Sequence, residues 1–274
     1  MVQLETLITL HCLPTFTLEQ KLELLKVCTT RKSLLDYYKD VASPSYNTFQ
    51  QVKVNIDAFV RYTNYSHFKV LSYFDENYPL WLKESSYAPI LLTYIGSYRP
   101  HLQHLTFLTS KINEPVITTQ AQRTGYEASL LDFTLVGGFS VHEDQKAYDA
   151  ALEQNGRCIA FLASGIDYIK SMNVRKVSSF LMRGGVFMSH VHPYGRPTYE
   201  RYRQRGALLA SCSALSLVLC APQNSQAYYS ALTALDEGRE VIVHDVGVKH
   251  SRGEANRELH NQGARTIQSL ADLL

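Results

Sequence analysis

From Phe68 onward, short apolar runs alternate with segments of helical length. No other feature of the chain constrains its fold as strongly. The runs are FKVLSYF (68–74), ILLTYI (90–95), HLTFLTS (104–110), FTLVGG (133–138), RCIAFLA (157–163), GVFMS (185–189), LSLVLCA (215–221) and EVIVHDV (240–246). They are apolar throughout, as strands covered on both faces are. Helices are expected near Asp144–Gln154, Val174–Met182, Tyr199–Ala210 and Ser225–Glu237. Together these predict an α/β fold, a doubly wound and mostly parallel sheet.

Residues 1–65 read differently. Thr17 and Gln20 have capping-box spacing and open a helix through Leu18, Leu22, Leu24, Leu25 and Cys28. A short helix is expected at Ser33–Tyr38 and another at Phe49–Tyr62, with Ser43-Pro44-Ser45 breaking the pattern between them. The expected organisation is a small helical domain at 1–65 and a larger domain at 66–274.

Composition excludes several classes. The 45% hydrophobic content is ample for a packed core. Five scattered cysteines without a C-x-x-C pair argue against a zinc ribbon and fit a reducing compartment. No apolar run approaches the roughly 18 residues of a membrane span. The first residues lack the basic region of a signal peptide, Glu5 comes early and no A-x-A-like cleavage site follows, so a cytoplasmic protein is expected. No G-x-G-x-x-G, P-loop or G-x-S-x-G motif occurs.

In a doubly wound fold, ligands sit outside the carboxyl ends of the strands. Those ends carry Thr109-Ser110-Lys111, Gly137-Gly138-Phe139-Ser140, Ser164-Gly165-Ile166-Asp167, His190-Val191-His192 and Pro222-Gln223-Asn224-Ser225. Such residues can rim a phosphate site with backbone N–H groups. Ordinary βα turns use the same residue types as helix N-caps, and local pattern does not separate the two. His190 and His192 have the spacing of a metal pair and Glu200 is available as a third ligand, but no further His or carboxylate cluster stands nearby, so no metal is expected.

A net charge of +2 excludes a protein that coats nucleic acid by bulk charge. The distribution says more. Between Arg157 and Arg205 lie nine basic and two acidic residues, a balance of +7. The remainder has 18 basic and 23 acidic residues, a balance of −5. Tyr194, Tyr199 and Tyr202 interleave with Arg196, Arg201, Arg203 and Arg205. Cations beside aromatic faces suit single-stranded nucleic acid.

The order of motifs resembles the DNA-processing protein A family (DprA, also called Smf) over roughly residues 70–274. The family's Tyr-Pro…Pro…Leu…Gly lead-in is similar to Tyr78-Pro79, Pro89, Leu91 and Gly96. Its Gly-Arg-x-Ile-Ala stretch with Gly-Leu-Asp resembles Gly156–Ala160 with Gly165-Ile166-Asp167. Its Glu-Gly-Arg-x-Val matches Glu237–Val241, and its closing Gly-Ala matches Gly263-Ala264. Departures fall in the phosphate-binding blocks. Thr109-Ser110-Lys111 stands for Gly-Ser/Thr-Arg, which loses the arginine fork. The block Gly137–Asp144 keeps the second glycine and the aspartate, and Tyr148 replaces a histidine. Tyr202–Ala207 keeps one arginine of Phe-x-x-Arg-Asn-Arg, and Ser225–Ala231 differs from Ser-Gly-Ser-Leu-x-Thr-Ala.

The resemblance implies a Rossmann-like fold behind a SAM-like helical domain. It also implies single-stranded DNA binding in natural transformation, loading of the RecA recombinase, homodimerisation, and neither catalysis nor a cofactor. Lys111, Lys170, Arg203 and Arg205 would contact phosphates and Tyr202 would stack on a base. Gly138, Ser164, Gly165 and Ser225 would shape the backbone pocket. The alternative is a nucleotide or small-anion binder, or a phosphoribohydrolase-like enzyme, although the hydrolase Pro-Gly-Gly-x-Gly-Thr-x-x-Glu signature is absent. A third is a scaffold that keeps only protein–protein contacts.

Overall fold

A computed structural model describes residues 2–14, 16–65, 67–100 and 103–274. The chain opens with helices α1 (Leu4–Cys12), α2 (Leu18–Val27), α3 (Arg31–Ala42) and α4 (Tyr46–Tyr65). The capping box forms as its spacing requires. Gln20 N donates to Thr17 Oγ1 at 3.3 Å, and Thr17 N donates to the Gln20 side chain at 2.9 Å. These helices bury Leu10, Leu34, Tyr38, Ile56 and Phe59 in an apolar cluster that continues into the sheet.

Strand β1 (Lys69–Ser72), short helix α5 (Leu80–Lys83) and β2 (Leu91–Ile95) lead into the α/β portion. There β3 (His104–Leu108), α6 (Pro115–Leu130), β4 (Thr134–Gly137), α7 (His142–Glu153), β5 (Arg157–Phe161), α8 (Val174–Met182), β6 (Val186–Ser189) and α9 (Tyr199–Ser211) follow. The chain continues through β7 (Leu215–Val218), α10 (Gln226–Asp236), β8 (Glu240–His244), α11 (Asp245–Lys249), α12 (Glu254–Asn261) and β9 (Arg265–Ile267).

The described residues form a nine-stranded sheet in the order β1-β2-β6-β5-β4-β3-β7-β8-β9. Pairing is parallel from β6 through β9 and antiparallel at β1–β2 and β2–β6. The strands alternate between two cores. Leu105, Phe107, Leu135, Ala160 and Phe187 face one layer. Leu108, Val136, Ile159, Phe161 and Met188 face the other. Chain order reverses between β3 and β7, which are neighbours paired in parallel. Just beyond their carboxyl ends Ser110 N donates to Cys220 O at 3.1 Å, which keeps the two strands joined there.

Several elements escape the sequence pattern, namely α1, α5, α6, α11, α12 and β9. Strand β9 is three residues long. Helix α6 turns small residues inward, among them Ala121, Thr124, Gly125 and Ala128. A Cβ on Gly125 would overlap the Ala147 carbonyl of α7. The two helices pack backbone to backbone, so α6 has no stripe of large apolar residues to betray it.

Candidate nucleic-acid interface

The strand-end pocket is built on β4 and α9. After β4 the chain runs through Gly138 and Ser140 into α7, whose first turn carries two buried carboxyls, Glu143 and Asp144. Glu143 Oε1 accepts from the backbone N–H groups of Ile112 (3.1 Å) and Asn113 (2.6 Å), which fixes the loop after β3. Asp144 points beneath Gly138. Burial pushes its carboxyl up to about 7, against the opposing pull of Arg205.

Helix α9 starts at the Thr198 cap, whose side chain accepts from Arg201 N at 3.3 Å. One face then delivers Tyr202 and Arg205. Arg205 Nη1 donates to Ser140 Oγ at 3.1 Å, and the guanidinium lies 5.1 Å from the Tyr202 ring centroid. Its Nε is buried and has no hydrogen-bond partner among the described residues. A Cβ on Gly138 would sit 2.9 Å from Arg205 Nη1 and 3.1 Å from Asp144 Oδ2. A side chain at 138 would push the guanidinium away from the strand end.

Beside this arrangement is a cavity of about 340 Å³, walled by Phe139, Ser140, Ser164, Asn173, Lys176 and Tyr202, among others. It combines hydroxyls, a lysine and an aromatic face at the mouths of β4 and β5. Its volume lies at the lower end of the range for small-ligand pockets.

The structure thus brings Gly138, Ser164, Tyr202 and Arg205 together and sets the other expected site residues apart. Gly165 follows Ser164, but its N–H donates to Gly195 O at 2.7 Å, and a Cβ there would overlap the carbonyls of His192 and Pro193. It seats the 192–195 segment. Lys170 is exposed, ion-paired to Asp167 at 2.5 Å and 5.8 Å from the Tyr62 ring of α4. Lys111 is exposed just beyond β3. Ser225 caps α10, accepting from Tyr228 N at 3.2 Å. Arg203 pairs with Glu200 at 3.5 Å on another side of α9. Residues i and i+2 do not share a helix face, so Arg203 and Arg205 diverge.

The basic segment is also less free than its sequence count. Arg157 pairs with Asp132, and Arg183 pairs with Asp149 at 3.3 Å and Glu153 at 3.7 Å, all acids from outside the segment. Among the described residues, no carboxylate lies within ion-pair distance of Arg175, Lys176, Arg196, Arg201 or Arg205. Ser140, Asn173 and Lys176 join the pocket without having been expected there. Ser140 was marked only by its place after Gly137-Gly138, and Lys176 only by its charge.

The two histidines after β6 serve the fold. His192 Nε2 is 2.8 Å from Asn55 O, and its Nδ1 accepts from Tyr194 N at 3.4 Å. His190 Nε2 lies 3.3 Å from Gln204 Oε1. No three His, Cys, Asp or Glu side chains among the described residues gather to hold a metal. No helix among them is long and apolar enough to cross a membrane.

Comparison with known proteins bears on the family and the fold. The model of the family described as DNA recombination-mediator protein A matches residues 69–274. Protein Smf of Borreliella burgdorferi is 28% identical over 202 residues, which are 72% of this chain and 63% of that protein. DNA processing protein DprA of Streptococcus pneumoniae is 24% identical over 217 residues, 77% of this chain and 74% of that protein. The chain spans less than two thirds of the Borreliella protein and 52% of Protein Smf from Synechocystis. The X-ray structure of the pneumococcal protein superposes with a TM-score of 0.80 at 22% identity, over 100% of this chain and 98% of that one. DNA processing protein A of Helicobacter pylori, whose structure is described for its single-stranded DNA binding mode, gives 0.66 at 18% identity, over 76% and 94%. At these identities the structural likeness is one of fold.

Proposed function

Since this chain belongs to the DNA recombination-mediator protein A family, we propose that it binds single-stranded DNA at the mouths of β4 and β5. The observation that carries this reading is the placement of Arg205, close against Gly138, bonded to Ser140 and over the Tyr202 ring. A phosphate at the pocket mouth would meet the guanidinium and the Lys176 ammonium, and a base would lie on the Tyr202 ring. No nucleophile–base pair is needed, and the protein acts by holding the strand. Its role is DNA processing in natural transformation, as a homodimer in the cytoplasm that hands the strand to the RecA recombinase.

The test is a titration of labelled single-stranded DNA at two salt concentrations, with duplex of the same sequence as control. Binding of the single strand that weakens with salt, and is tighter than binding of the duplex, supports the reading. Equal affinity for both forms, or no shift at low ionic strength, removes it.

A further inference from the structure

We propose that the cleft between α1–α2 and α9–α10 is a second binding site for the same strand, reached over the exposed first turn of α9. This rests on the reading of the strand-end pocket as a single-strand site. The cleft encloses about 1220 Å³. The charges that line it are unevenly compensated. Lys21 is partly buried, and burial pulls its ammonium below the usual lysine range. Its hydrogen-bond acceptor is the His11 carbonyl at 3.5 Å, and no carboxylate among the described residues lies within ion-pair distance. A desolvated charge without a counter-ion is costly, so an anion in the cleft would stabilise it.

Arg201 and Arg203 enter the same space from α9, and Glu200 there is already paired to Arg203. Asp236 lies on the α10 side. His11 and His190 add no charge at neutral pH, since burial lowers them to about 3 and about 4. Aromatic faces complete the lining. Tyr199 is 72% exposed and Tyr229 is 44% exposed. Ammonium and guanidinium groups beside open tyrosine rings match a phosphodiester chain carrying bases.

The two sites are joined by α9 itself. Pro197 and Tyr202 border the strand-end pocket, whereas Thr198 and Tyr199 border the cleft. The ridge between them is the helix N-terminus, where the macrodipole favours a phosphate. A helix is about 10–12 Å across, a width that a few nucleotides bridge. The basic, aromatic stretch of sequence therefore serves both sides of one helix.

The experiment compares a short oligothymidylate of about 6 nucleotides with a long one of about 20, a range that brackets single-strand site sizes. It uses the wild-type chain and a Lys21→Met/Arg203→Gln variant. Methionine keeps the buried stem of Lys21, and a thermal melt checks folding. Loss of two phosphate contacts should flatten the salt slope for the long oligonucleotide by about 1.4, roughly a sevenfold smaller change between about 50 and 200 mM salt. The short oligonucleotide should bind as to wild type. A long strand carrying 5-iododeoxyuridine should crosslink to Tyr199 or Tyr229. Unchanged slopes at both lengths, equal changes at both lengths, or crosslinks confined to Tyr202 would overturn the second site while leaving the first standing. If the wild type binds neither length, the first reading fails and this one falls with it.

Discussion

Asp144→Asn tests the electrostatics beneath Arg205. The Asp144 carboxyl is 5% exposed and is held up to about 7 by burial. In the unfolded chain it would titrate near 3.9. The native state therefore keeps its proton over a pH range in which the unfolded state has released it. Stability from this group is fully present below the unfolded value and is lost as pH rises toward the folded one. At about 1.4 kcal/mol per pH unit, the loss between pH 5 and pH 8 is about 2.7 kcal/mol. Asparagine mimics the protonated carboxyl and carries no such penalty. In urea unfolding, the variant should gain on the wild type by about that amount between pH 5 and pH 8. A phosphate beside Arg205 would raise Asp144 further, so DNA binding by the wild type should strengthen as pH falls through about 7, and the variant should lose this dependence. If wild type and variant show parallel stability curves from pH 5 to pH 8, Asp144 is ionised throughout and the argument is wrong.

Other perturbations separate fold from binding. Gly165→Ala drives a methyl group into the His192 and Pro193 carbonyls and should cost about 3 kcal/mol, read as a fall in Tm of roughly 6–12 °C. Asn256 is fully buried, accepts from Ala221 N at 2.9 Å and donates to Val218 O at 2.9 Å and Leu219 O at 3.2 Å. Asn256→Ala strands these groups at the end of β7 and should lower the urea midpoint by the equivalent of about 3 kcal/mol. Thr17→Ala removes the α2 capping box and should cost about 1 kcal/mol in the same unfolding measurement.

The sheet was legible because its strands are apolar at consecutive positions, so every long run from Lys69 to His244 could be found. Helix α6 was not, because Gly125 and Ala121 bring it against α7 without large side chains. In the pocket, Gly138 and Arg205 were readable as survivors of a family pattern, whereas their mutual contact is a tertiary fact. Charge counting along the chain could not see that Asp132, Asp149 and Glu153 fold back onto Arg157 and Arg183. Nor could it divide Arg203 from Arg205, which two residues of helix send to different sides of α9. Gly165 stands out in the sequence by its place after β5, and its close packing on His192 and Pro193 is a tertiary fact.

Single-strand binding at this pocket depends most on Arg205 meeting a phosphate. Binding of single-stranded DNA by Arg205→Ala, followed across a range of salt concentrations, tests this directly. Loss of one contact should weaken binding and flatten the log–log salt slope by about 0.7, a thermal melt showing that the variant is folded. Equal affinity and an equal slope in wild type and variant would contradict it.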